Sequence, residues 1–135
     1  MNRRILSCIL AAGGVLAACA GVQREGDLIA RGEYLVNNVA GCNDCHSPHN
    51  AQGQLIAGRE LTGAPLPFAP TVPMPWAATA PSIRGIPAGY TDEQFASFLQ
   101  TGKRPNGSEP LPPMPPYRLN AEDARAVTAY IASLT

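Results

Sequence analysis

Apolar positions recur at helical spacing in three stretches of this chain, and prolines crowd the ground between them. Over residues 27–39, Leu28, Arg31, Tyr34, Leu35 and Asn38 follow a mixed three-and-four spacing, so this helix has only a partly apolar face. Gly32 inside it lowers helix propensity. It marks either a close contact with another helix or a glycine tolerated at the surface. A second helix is expected after Thr91. Thr91 and Gln94 match a capping box, Phe95, Phe98 and Leu99 form an apolar stripe, and Gly102 is a stop signal. A third begins after Asn120, an N-cap residue, with Glu122 and Asp123 in its first turn, where they complement the helix dipole. Ala124, Val127, Tyr130, Ile131 and Leu134 lie on one side of it. No internal repeat and no convincing strand alternation is present. The pattern predicts an all-α domain of three or more helices joined by proline-rich loops.

Those loops are unusual. Residues 65–87 hold seven prolines and residues 105–116 hold six, thirteen of the fourteen in the chain. Proline fixes φ and removes a backbone donor, so neither segment is expected to be regular. A low-complexity linker is the simplest reading. Against it, Phe68, Met74, Trp76, Ile83 and Met114 are interleaved with the prolines. Stiff loops carrying apolar side chains suit a chain that must wrap a flat cofactor.

The N-terminus has a separate logic. Arg3 and Arg4 precede an uncharged apolar run, Ile5 to Leu16, which is too short to span a bilayer and reads as an export signal. Leu16-Ala17-Ala18-Cys19 resembles the processing box of bacterial lipoproteins, in which the cysteine is lipidated and becomes the first residue. The organisation expected is a signal peptide over 1–18, a lipidated tether over 19–26 and one folded domain over 27–135. Ordinary signal cleavage after Ala20 is the rival. Each buried acyl methylene contributes about 0.8 kcal/mol, and more than one chain gives stable anchoring. The resemblance therefore implies a protein tied to the periplasmic side of a bacterial membrane, with a soluble periplasmic form as the alternative. Loss of Arg3 and Arg4 turns a formal charge of zero into −2, and Lys103 is the only lysine. No basic face for nucleic acid is expected.

The candidate chemistry sits in Cys42-Asn43-Asp44-Cys45-His46. C-x-x-C-H is the spacing at which two thiols join the vinyl groups of one haem while the next residue offers imidazole to the iron. A thioredoxin-like dithiol would need a βαβ pattern around it, and none is visible. A zinc site would crowd Cys42, Cys45, His46 and His49 into eight residues without a second ligand pair further on. The cysteine count also fits haem c. Cys8 leaves with the signal, Cys19 takes lipid and two thiols remain. His49, three residues beyond His46 on the same side, reads as a solvent-facing residue. The second axial position is then open to Met114, to Met74 or to no ligand. Met114 lies far enough beyond His46 to encircle the haem, in Pro112-Pro113-Met114-Pro115-Pro116-Tyr117. For either methionine, apolar gap-filling is the plain alternative.

From about Gly32 to Leu134 the chain resembles class I c-type cytochromes, in particular the monohaem and dihaem electron acceptors of bacterial periplasmic dehydrogenases. The resemblance is carried by Gly32-Glu33-Tyr34-Leu35, the haem motif, Ala80-Pro81-Ser82-Ile83, Gly102-Lys103-Arg104-Pro105-Asn106-Gly107, Met114-Pro115 and Ala129-Tyr130-Ile131, in that order. It implies the class I cytochrome c fold around one covalent haem, held by Cys42 and Cys45 with His46 and Met114 on the iron. It also implies first and last helices that cross at a glycine like Gly32 near an aromatic like Tyr130. His/Met ligation favours ferrous iron and leaves no position for a substrate. The implied function is electron carriage, not catalysis, between a dehydrogenase and a cytochrome or oxidase acceptor. A haem enzyme or gas sensor with an open or labile sixth site is the alternative. The proline-rich insertion at 65–80 departs from the family pattern and leaves two roles for Trp76, approach to a haem propionate or part of a docking surface.

Overall fold

The computed structural model describes residues 24–134. The expected signal peptide and the candidate lipid-bearing Cys19 lie outside the described residues. Helix α1 occupies residues 24–34, so the last three residues of the expected tether are already helical. It runs on into a wider π-helical turn, Leu35–Val39, closed by the Ala40 N–H donating to the Leu35 carbonyl at 2.8 Å. Gly41 then takes a left-handed conformation (φ 63°) and starts the short helix α2, Cys42–His46. Helices α3, Asp92–Thr101, and α4, Ala121–Ser133, complete the helical frame.

The caps are those the sequence specifies. The Thr91 side chain accepts from the Gln94 N–H, and the Gln94 side chain accepts from the Thr91 N–H. Gly102 ends α3 in the left-handed region (φ 71°), and Asn120 accepts from the Asp123 N–H to open α4. The all-α expectation holds, with one difference. A two-residue antiparallel ladder joins β1, Ala64–Pro65, to β2, Thr79–Ala80. Two residues are too few to leave an alternating pattern, which is why no strand was legible.

The core forms where α3 and α4 face each other and the end of α1. Phe95, Phe98 and Leu99 meet Ala124, Val127 and Ile131, with Leu35 and Val36 from the π turn and Leu61 from a loop. Tyr90, Phe95 and Phe98 make an aromatic cluster with centroids 5.8 to 6.2 Å apart. On α1, Tyr34 turns out to be exposed, and Arg31 stacks over its ring. The buried side of this helix is Gly32, Leu35 and Val36.

Gly32 is a helix-crossing glycine, not a surface one. A Cβ placed on it would lie 2.0 Å from the Ala126 carbonyl oxygen and 2.7 Å from the Tyr130 Cβ. Backbone of α4 occupies that space, so no side-chain rotation relieves the clash. Gly32→Ala is therefore expected to destabilise the intact protein by about 3 kcal/mol. Gly26→Ala, which meets nothing within 4 Å, should be neutral or slightly stabilising. Denaturant titration of both variants beside the parent checks this; equal losses would refute the close crossing.

Candidate functional site

A cavity of about 780 Å³ opens beside α2, within the size range of ligand pockets. Its wall is built from the core itself: Phe95, Phe98 and Leu99 of α3 and Val127 and Ile131 of α4. The opposite wall comes from the two proline-rich segments, through residues such as Leu66, Ile83, Leu111 and Met114. Cys42, Cys45, His46 and Met114 all line this one cavity. Met74 and His49 do not; Met74 is 45% exposed, and His49 pairs by backbone with Leu55 in a surface turn.

His46 is fixed by the chain around it. Its Nδ1 lies 2.7 Å from the Pro81 carbonyl oxygen. A carbonyl only accepts, so Nδ1 carries the proton and Nε2 keeps its lone pair, as a metal ligand requires. Burial holds the imidazole pKa below its ordinary value, partly opposed by the bond to Pro81. Three features hold the Pro81 carbonyl there. The β1–β2 ladder ends one residue earlier, the Gly63 N–H donates to the His46 carbonyl at 2.7 Å, and the Ile83 N–H donates to the Leu61 carbonyl at 2.9 Å. Gly63 passes so near residues 81–82 that a Cβ there would meet the Ser82 nitrogen at 2.7 Å.

Leu61 anchors this arrangement. It is fully buried and has φ 60°, a conformation uncommon outside glycine. Its N–H donates to Ser47 Oγ at 2.7 Å, and its carbonyl accepts from Ile83 N–H and Ser82 Oγ. Ser47 in turn donates to Asn43, and Asn43 donates to Asn37 at 2.7 Å. This buried polar chain ties the π turn, α2 and the loop after it into one unit. A buried donor or acceptor left without its partner costs about 1–3 kcal/mol, so each link locks the next. On the Met114 side, the Tyr117 hydroxyl donates to the Ala40 carbonyl, pinning the proline-rich loop to the entrance of α2. Burial pushes the Tyr117 phenol up to about 12.

Both thiols are free. Burial raises the Cys42 pKa to about 11 and also raises that of Cys45. They sit in a largely apolar wall. Among the described residues, no group of three or more His, Cys, Asp or Glu side chains could hold a bare metal ion. The donor set instead fits haem: two thiols at the required spacing, one oriented imidazole, a thioether in the same wall and an apolar space between. Asp44 and Arg104 are the one acidic side chain and the one arginine in that wall.

Several positioning groups were missed in the sequence. Nothing local distinguishes Ser47, Asn43 or Leu61, whose roles depend on partners far along the chain. Pro81 belonged to a recognised stretch, but the part played by its carbonyl was not readable. Trp76 sits against Phe68, edge to face at 5.9 Å, and its neighbour Ala77 lines the cavity although Trp76 does not. Its Nε1 is buried without a partner among the described residues.

Residues 29–135 match the family model described as Cytochrome c. The chain is 30% identical to a "Diheme cytochrome c-type" of Cereibacter sphaeroides, over 79% of this chain and 36% of that protein. It is 35% identical to a "Fructose dehydrogenase cytochrome subunit" of Gluconobacter japonicus, over 76% of this chain and 20% of the relative. The chain thus spans about a third and a fifth of the lengths of these two relatives.

Proposed function

Because the chain belongs to the cytochrome c family, whose members bind haem covalently and transfer electrons, we propose that it carries one electron at a time on a single haem c. Cys42 and Cys45 would hold the haem by thioether bonds, with His46 and Met114 as its axial ligands. The observation that carries this reading is the convergence of these four residues on one apolar cavity. A single C-x-x-C-H motif supports a count of one haem, although one relative is named diheme. The bound haem supplies an iron that accepts and returns one electron. The residues around it do the rest. His46 is held in one tautomer by the Pro81 carbonyl. The apolar wall would exclude water, and the Met114 thioether, in the same wall, would bind the iron and favour its reduced state. Arg104 would meet the negative charge of the haem carboxylates. A haem held by His46 and Met114 together would leave no position for a substrate, and on this reading the protein serves as a carrier.

The partners on this reading are a dehydrogenase as donor and a cytochrome or oxidase as acceptor. The similarity to a fructose dehydrogenase cytochrome subunit supports the donor class. The place is the periplasmic side of a bacterial membrane, with lipid on Cys19 as anchor, supported by the Leu16-Ala17-Ala18-Cys19 box after a short apolar run.

Two experiments test these assignments. Met114→Ala should lower the reduction potential and let the reduced protein bind carbon monoxide, while Met74→Ala, outside the cavity wall, should do neither. Potentiometry and carbon monoxide titration of both variants decide it. Rapid carbon monoxide binding by the unaltered reduced protein would instead indicate an open site and an enzyme or sensor. For the anchor, Cys19→Ser should move the protein from the membrane to the soluble fraction. A variant that sediments with membranes as the parent does would exclude lipid on Cys19 as the anchor.

A further inference from the structure

The loop 66–77 is a built feature. It leaves β1, returns to β2 and is closed at its base by the ladder and by the Leu66 N–H donating to the Ala78 carbonyl at 3.0 Å. Phe68 on the outgoing arm packs edge-on against Trp76 on the return arm, and the Ala77 N–H donates to the Pro112 carbonyl at 2.8 Å. Prolines 67, 70, 73 and 75 stiffen it further. Yet this ordered loop displays apolar side chains to water. Phe68 is 48% exposed, Val72 61% and Met74 45%, and Leu111, in the proline-rich segment to which the loop is bonded, is 46% exposed. Several exposed apolar side chains held on one ordered loop suit an interaction site.

Two further observations say what covers it. The first is charge. Residues 61–83 and 110–116 contain no acidic, basic or histidine side chain. Charge approaches this face only at the cavity wall, through Asp44 and Arg104, so the loop itself gives a charged partner no steering and would impose a desolvation cost on one. It is matched by a face that is itself apolar and uncharged. The second is continuity with the site. Leu66, Ala77 and Leu111 belong both to this region and to the cavity wall. A protein seated on the loop therefore lies directly beside the cavity that holds the redox group.

Resting on the carrier reading above, we infer that the loop 66–77, with Leu111, is the surface on which this protein docks against the apolar, uncharged face of the redox protein with which it exchanges electrons. The prolines and the Phe68–Trp76 contact keep the surface ordered before contact, so little flexibility is lost on docking. Apolar contact without charge also allows brief encounters whose rate does not depend on salt.

A second copy of this chain carries such a face and serves as the probe. Electron self-exchange moves one electron from a ferrous copy to a ferric copy, and NMR line broadening in mixtures of the two measures its rate. The full chain with Cys19→Ser avoids any contribution from lipid. The parent rate should be nearly independent of ionic strength. Val72→Glu and Phe68→Glu should each lower it by about tenfold or more, because like charges then meet across the contact, and added salt should partly restore it. Both variants should keep the parent's reduction potential. Val72→Glu guards against a folding defect, since Val72 is the most exposed of these side chains. Exchange unchanged in both variants, with reversible reduction intact, would overturn the docking assignment and leave the carrier reading standing. A parent that cannot be reversibly reduced would overturn both. Binding to phosphatidylcholine vesicles that Val72→Glu abolishes, with self-exchange unaltered, would assign the loop to a lipid surface and overturn the proposal.

Discussion

The apolar interior of this protein is not closed by its own side chains. Phe95, Phe98, Leu99, Val127 and Ile131 are at once the core of the fold and the wall of the cavity beside α2. Those side chains leave a cavity of about 780 Å³ beside them, an apolar surface that needs another group to cover it. The covalently bound haem that membership of the cytochrome c family implies would fill this space, and on the proposed reading Cys42 and Cys45 would keep it from leaving. In such a protein the cofactor site is the centre around which the fold packs.

That constraint explains the division of labour along the chain. Helices α1, α3 and α4 satisfy their own backbone, and α3 and α4 supply part of the cavity wall. Much of the rest of the wall is made of loops that form few regular hydrogen bonds, so each one present carries weight. Gly63 donates to His46, Ile83 to Leu61, Ala77 to Pro112 and Leu119 to Leu99. Proline compensates for the shortage by limiting the unfolded chain, so less flexibility is lost on folding. The same stiffness that lets the loops wall the cavity also lets loop 66–77 hold apolar side chains in water without collapsing inward.

How much of this was readable depended on sequence range. The ends of α3 and the start of α4 were legible because Thr91, Gln94, Gly102 and Asn120 act within a turn of themselves. The C-x-x-C-H motif is legible because its two cysteines and its histidine fall within five residues. Chain length and flanking prolines single out Met114 as the candidate second ligand, and it lines the cavity whereas Met74 does not. The crossing at Gly32 was left open, since a glycine at a helix contact and one in water look alike until Ala126, 94 positions away, is known. The π turn, the left-handed Leu61 and the short β ladder were invisible. Each exists because distant segments require it: the π turn brings Cys42 round to the cavity, and Leu61 holds the Pro81 carbonyl against His46. Helix α1 begins at residue 24, earlier than the apolar pattern indicates, because the polar Arg24 and Glu25 give no apolar period to read.

The most direct test of the central claim compares unfolding with and without haem. The haem-loaded protein should unfold in one cooperative thermal transition. The Cys42→Ala, Cys45→Ala chain, prepared free of haem, should retain some helical signal but lose that transition, because the cavity wall has nothing to close on. A haem-free chain that melts as sharply as the loaded one would show that the polypeptide alone supplies the core, and would contradict the account.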